Sequence, residues 1–456
     1  MKPVLMNAQR TMSRATVQLS GARAVDGAFS LWPPAMLATG DGDGPCNSTG
    51  SCSAPGNNLR RGARRAAPWP VRPVAYALAL QIFNPALSLQ AQETTVFRSG
   101  DHGYASYRIP AIIRHNGVLI AFAEGRVHNA ADFGDNDIVY KTSTDGGRTW
   151  GALHTAVDNH ALQASNPAPV VDLLDPRHPD GRIFLFYNTG NAHEHDVRQG
   201  KGLREVWYIT STDGAATWSA PVNITAQVHR PEQPRLNAAY NFPADWRTYA
   251  NTPGHGFQFI TGPHKGRLYI AANHNAGDPQ PGNKDWNAHA YYSDDHGRSF
   301  HLSDNVPYAG TNESTAAQIG TDAVYMSSRN QRLWPRQRII SVSQDGGRSW
   351  VSSGPDPQLP DPVNQASVLS WLQDDSFILA HCNAADGNAR NKLTLRLSKD
   401  GGKTWYLSKM IAEAPENHQG AYTAYSDLVR TGNHALGVLY EKDNYARIVF
   451  AEVGVE

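Results

Sequence analysis

Four consecutive residues able to bind metal or move protons, His193-Glu194-His195-Asp196, stand out in this chain of 456 residues. They fall in a polar segment, and no third ligand follows at a spacing that zinc sites use. A solvated loop explains them, and no metal is expected. A second acidic run, Asp132-Phe133-Gly134-Asp135-Asn136-Asp137, offers three carboxylates, the last leading into the β-prone Ile138-Val139-Tyr140. The three cysteines do not make a disulfide framework. Cys46 and Cys52 can close a small loop in a Gly/Ser/Asn/Pro-rich segment, and Cys382 follows an apolar run as a buried strand thiol would. Lys and Arg total 41 against 41 Asp and Glu, so nothing points to a nucleic-acid partner.

The elements that must position any such chemistry are announced by a repeat. Ser143-Thr144-Asp145-Gly146-Gly147-Arg148-Thr149-Trp150 returns with small variations at Ser211 to Trp218, Ser293 to Phe300, Ser343 to Trp350 and Ser398 to Trp405. Recurrence at such intervals marks a radially repeated fold. Within each copy, glycine supplies the positive φ of a hairpin turn, the aspartate accepts from the turn's own amides, and the terminal aromatic pins the hairpin. The copies are therefore scaffold, one per sheet. Ala215 stands where the others have glycine, so that turn is expected to be altered.

Short apolar runs at Val118–Ala123, Arg182–Tyr187, Arg267–Ala272 and Ala435–Tyr440 read as strands, and no long amphipathic helix is evident. Five copies over about 360 residues fit an all-β, six-bladed β-propeller of four antiparallel strands per blade, one blade having lost its signature.

The folded domain is expected over residues 94–456, preceded by an extension over 1–93. Within it, Arg60-Arg61-Gly62-Ala63-Arg64-Arg65, the apolar run Val74–Phe83 and the small residues near Ala91 follow the order of a secretory signal. This signal-like segment, at about 60–91, does not begin at the N-terminus. It is too short and interrupted to span a bilayer comfortably, so a secreted or periplasmic protein without stable membrane insertion is expected.

Tyr107-Arg108-Ile109-Pro110, the repeated aspartate boxes and Ala424-Tyr425-Ser426-Asp427-Leu428, in this order, resemble the exo-α-sialidase (neuraminidase) superfamily from about residue 100 to the C-terminus. The resemblance implies a propeller with its active site at the mouth of the central channel. It implies that Arg108, Arg329 and Arg390 grip a substrate carboxylate, that Glu124 and Arg126 form a rim segment, and that Glu441 steadies Arg108. Asp132, six residues after Arg126, resembles the acid/base, with Asp135 and Asp137 as its close neighbours. Glu313 and Tyr425 resemble the paired base and nucleophile, Tyr422 being the near neighbour to be told apart from Tyr425. Relatives also place an acidic residue from the 193–196 region at the pocket, and the sequence leaves Glu194 and Asp196 both open. Gly254-His255-Gly256 and Asn166-Pro167-Ala168-Pro169 resemble blade architecture near the site.

The chemistry makes sense of these residue types. Sialic acid carries its carboxylate on the anomeric carbon, and guanidiniums hold such an anion with bidentate, charge-assisted bonds. A carboxylate nucleophile would approach that anion; a neutral tyrosine avoids the repulsion. Its phenol, with an ordinary pKa near 10, needs a base to take its proton. An acid at Asp132 needs a raised pKa to stay protonated near neutrality. The implied activity is retaining hydrolysis of terminal α-linked sialic acids from glycoproteins, glycolipids or oligosaccharides, without a cofactor. The rivals are a trans-sialidase or anhydrosialidase on the same fold, and a non-catalytic aspartate-box propeller that binds glycans or proteins.

Overall fold

In the computed structural model, which describes residues 93–455, the chain winds into successive four-stranded antiparallel sheets. The N-terminal extension, with Cys46, Cys52 and the signal-like segment, lies outside the described residues apart from Glu93. Alternating side chains give each strand two apolar faces, so every sheet can be covered on both sides by its neighbours. The first blade comprises Ser106–His115, Val118–Arg126, Asn136–Ser143 and His154–Val157. Its link to the second blade, Gln163–Asp172 through Val222–Asn223, is a single parallel pair, Asn136 with Gln163. The remaining blades begin at Trp246–Asn251, Thr311–Gln318, Ala366–Gln373 and Thr423–Gly432. The sixth borrows its outer strand, Glu93–Arg98, which pairs antiparallel with Arg447–Gly454 and closes the ring.

The core is divided accordingly into layers between blades. Leu436, Val438 and Tyr440 pack towards the fifth blade with Leu393, Leu395 and Leu397, while Leu439 on the same strand turns the other way, towards Leu119 and Ala121 of the first. Cys382 is a free, buried thiol in the layer between the fifth and sixth blades, and burial pushes it up to about 12. Among the described residues no helix is long and apolar enough to cross a membrane.

Each aspartate box joins the third strand of a blade to its fourth. In the first, Ser143 Oγ donates to Asp145 Oδ1 at 2.8 Å and accepts from the Gly147 N–H at 2.9 Å, while Thr149 Oγ1 donates to Asp145 Oδ2 at 2.6 Å. The same three bonds recur in the other four boxes. The sixth blade needs no box, because its fourth strand arrives from the other end of the chain.

The alteration expected at Ala215 is absent: it adopts φ 71° and its N–H bonds Ser211 Oγ at 2.9 Å, as glycine does elsewhere. A Cβ on Gly297 or Gly347 would stand within 2.5 Å of Phe184 or 2.3 Å of Tyr269 on the preceding blade. These aromatics directly follow the residues paired with the box serines of their own blades; on the first blade that position is Ile120, which shares an apolar layer with Ala215. The neighbour, more than the turn, decides whether a methyl group is admitted.

Candidate active site

The inner strands of five blades share one irregularity. Between Arg108 and Ala111, Ser165 and Ala168, Trp246 and Tyr249, Thr311 and Ser314, and Thr423 and Ser426, one extra residue is inserted against the neighbouring strand. Such bulges bend a strand and re-aim its side chains. Here they present Ile109, Asn166, Thr248, Glu313 and Tyr425 to one cavity of about 240 Å³. Ile109 and Asn166 hold φ values of 58° and 53° there, uncommon for residues with a Cβ.

Tyr425 donates its phenolic proton to Glu313 Oε1 at 2.5 Å and accepts from Arg329 Nη1 at 2.9 Å. The second Glu313 oxygen accepts from the same Arg329 nitrogen at 2.8 Å. Burial, reinforced by the Glu313 charge and opposed by the three arginines, pushes the Tyr425 phenol well above its ordinary value, so it rests as a neutral donor. Arg108 and Arg390 flank its ring at 5.5 and 5.4 Å. Glu441, fully buried, accepts from Arg108 Nε at 2.7 Å and from the backbone N–H groups of Ile109 at 2.9 Å and Tyr425 at 3.2 Å. Tyr422 stands apart, packed with the core between the fifth and sixth blades and under the Lys442 ammonium.

On the opposite wall, buried Arg126 bonds Glu124 Oε2 at 3.0 and 2.6 Å and Asp132 Oδ1 at 2.9 Å, and Glu124 Oε1 accepts from the Asn166 N–H at 2.9 Å. Asp132 lines the cavity, whereas Asp137 is engaged by the Tyr104 hydroxyl at 2.6 Å and Asp135 points towards His128. The Asp132 side chain overhangs the mouth and is 73% exposed. Partial burial favours its neutral form, but Arg126 and then Arg108 outweigh it and hold the carboxyl below its ordinary value. This departs from the raised pKa that acid catalysis asks for, and the cause is the pull of Arg126 and Arg108.

His193-Glu194-His195-Asp196 forms the start of a one-turn helix, Glu194–Arg198, and not a loop. Of its two acidic residues, Glu194 lines the cavity. Although the Glu194 side chain reaches solvent, desolvation at the cavity mouth raises its pKa, Arg204 opposing and Asp132 adding to the effect. The sequence reading missed Arg204, Trp286 and Gln331 on the walls and Tyr445 behind them, whose hydroxyl accepts from Arg390 Nη1 at 2.7 Å. Tyr445 had one signal, the turn-forming Asp443-Asn444 just after Glu441; the other three had none.

A carboxylate-sized anion fits this chemistry: three guanidiniums face it, and a phenol with its own base stands beside them. Residues 117–438 match the model of the BNR repeat-like domain family. A sialidase of Micromonospora viridifaciens is 31% identical over 369 residues, covering 75% of this chain and 51% of that one. The chain thus spans about half the length of that relative. An exo-alpha-sialidase of Aspergillus fumigatus is 29% identical over 368 residues, covering 75% of this chain and 80% of that one. Among solved structures, Hadza microbial sialidase Hz136 superposes with a TM-score of 0.65 at 23% identity, over 80% of this chain and 68% of its own.

Proposed function

Since the chain belongs to the BNR repeat-like domain family and to the exo-α-sialidase superfamily of its relatives, we propose that it removes terminal α-linked sialic acids from glycoproteins, glycolipids or oligosaccharides. The signal-like segment at 60–91 supports action outside the cytoplasm. The observation that carries the reading is the 2.5 Å Tyr425–Glu313 bond set among Arg108, Arg329 and Arg390 in one cavity.

In this reading the three arginines hold the substrate carboxylate and so fix the anomeric carbon over Tyr425. As the phenolic oxygen bonds that carbon, its proton passes to Glu313, the bond to the leaving oxygen breaks, and Asp132 supplies the proton that oxygen needs. The substrate's own anion prepares Asp132. Its negative charge, set beside Asp132, offsets the pull of Arg126 and Arg108 and favours the protonated form. Water then enters; Asp132 takes its proton, the carbon–tyrosine bond breaks, and Glu313 returns the proton to Tyr425. Two displacements retain the α configuration.

The test is turnover of an aryl α-sialoside by wild type and by Tyr425→Phe, with the sugar product followed by NMR. The expected result is α-sialic acid as first product, with Tyr425→Phe slower by about 10³-fold or more. A folded wild-type protein inert on aryl and natural sialosides would overturn the enzyme reading in favour of a binding propeller. An anhydro or transferred product would establish intramolecular or acceptor transfer in place of hydrolysis.

A further inference from the structure

The three arginines are held in unequal ways. Arg108 is paired with Glu441 and Arg329 with Glu313, each at 2.8 Å or less. Among the described residues, no carboxylate lies within ion-pair distance of Arg390. Its side chain is steered instead by a neutral group, the Tyr445 hydroxyl at 2.7 Å. The same tyrosine spreads its ring beneath the Arg108 guanidinium, 4.1 Å from the centroid, so that Arg108 lies between the rings of Tyr445 and Tyr425. One residue thus touches two of the three cations, and its ring joins Ile109, Ala424 and Tyr425 in a small apolar cluster.

The backbone that presents Tyr445 is strained. Asp443, Asn444 and Tyr445 follow one another with φ of 54°, 53° and 66°, a run of left-handed conformations unfavourable for residues with a Cβ. The surroundings enforce it. Asn444 Oδ1 accepts from the Ala421 N–H at 2.7 Å, Asn444 Nδ2 donates to the Gln419 carbonyl at 2.8 Å, Ser99 Oγ donates to the Tyr445 carbonyl at 2.8 Å, and Arg447 pairs with Asp443. Contacts from Ser99 and from the 419–421 and 447 positions converge on this turn, and they set the direction of the ring.

We infer that Tyr445 is a positioning residue that orients Arg390 and Arg108 for the substrate carboxylate while leaving the positive charge of Arg390 unspent. This deepens the sialidase reading and rests on it. A carboxylate at the same place would orient Arg390 equally well but would neutralise it. A phenol supplies an acceptor and an aromatic face without a net charge.

The experiment compares wild type, Tyr445→Phe and Tyr445→Leu on an aryl α-sialoside, with inhibition by free sialic acid and the thermal midpoint measured alongside. Tyr445→Phe keeps the face under Arg108 and loses the acceptor; its KM and its inhibition constant should both rise about tenfold. Tyr445→Leu loses both, and the two constants should rise about 50-fold or more. In Tyr445→Phe, kcat should stay within about threefold of wild type, because Tyr425 and Glu313 are held independently. The inference is overturned by an unchanged KM in Tyr445→Phe, by a loss confined to kcat, or by a rise in KM matched by a fall in its thermal midpoint. Inert wild-type protein is a separate outcome, which brings down the sialidase reading itself.

Discussion

Glu441 is the residue on which the site's rigidity converges, since it anchors Arg108 and the backbone N–H groups of Ile109 and Tyr425. Both partners of the Arg108–Glu441 pair are buried, so removing one charge strands the other. Glu441→Gln should therefore cost about 3 kcal/mol in urea unfolding and raise KM for an α-sialoside; an unchanged unfolding midpoint would show the pair to be dispensable. At this scale the sequence was informative where chemistry has a local signature. Tyr-Arg-Ile-Pro and Tyr-Ser-Asp-Leu point to Arg108 and Tyr425, and the structure brings both into one cavity with Glu313, Arg329 and Arg390. Arg204 carries no such signature and Tyr445 only the turn residues before it, because their proximity to the site depends on how a strand end and that turn are folded. The ionised state of Asp132 was hidden for a related reason: its pKa follows from Arg126 and Arg108, whose distances no spacing encodes.

Among the elements, the aspartate boxes and the bulges contrast in legibility. Each box is written contiguously, so five of them can be read directly, and ring closure, rather than the loss expected from the count, explains the missing sixth. The inner-strand bulges, which aim Glu313 and Tyr425, arise from the register between two strands and leave no trace in either alone. The boxes also yield a sharp test. A Cβ on Gly147 would stand 2.1 Å from Phe450, at φ 90°. Gly147→Ala should destabilise by about 3 kcal/mol, from left-handed strain and overpacking together. The converse change, Ala215→Gly, relieves strain and adds unfolded-chain freedom, and should stay within about 1 kcal/mol of wild type. Equal effects in denaturant titrations would refute the idea that the neighbouring aromatic, and not the turn, selects glycine.

For the molecule as a whole, the buried histidines set how stability responds to acid. His274 and His289 of the third blade lie together with His229, from the connection that precedes it, around Trp246 and Tyr249, and His381 lies in the fifth. Burial lowers all four, with like charges adding; His289 falls to about 3. Below about pH 6.5 the unfolded chain binds protons that the folded one refuses, so stability falls as pH drops. His255 opposes: burial would lower it, but Asp427 at 2.7 Å raises it, and its contribution is present below pH 6.5 and lost as pH rises through its folded pKa. Between pH 6 and 5 His255 is charged in both states and leaves the slope to the other four, which together reach up to about 5 kcal/mol per pH unit. Denaturant midpoints that do not move over that interval would mean that the cluster is hydrated or already charged.

The strand that completes the sixth blade has a consequence in time. Arg108 and Glu441 are separated by 333 positions, and the borrowed strand pairs with residues farther away still. At about 5–20 residues per second, a growing chain carries Arg108 for roughly 15–70 s before its partner is made. Through that interval the nascent protein holds Arg108 and lacks Tyr425, so in the sialidase reading it is catalytically silent on the ribosome. In that reading activity is the last property the chain acquires, and its appearance marks the moment at which the ring shuts.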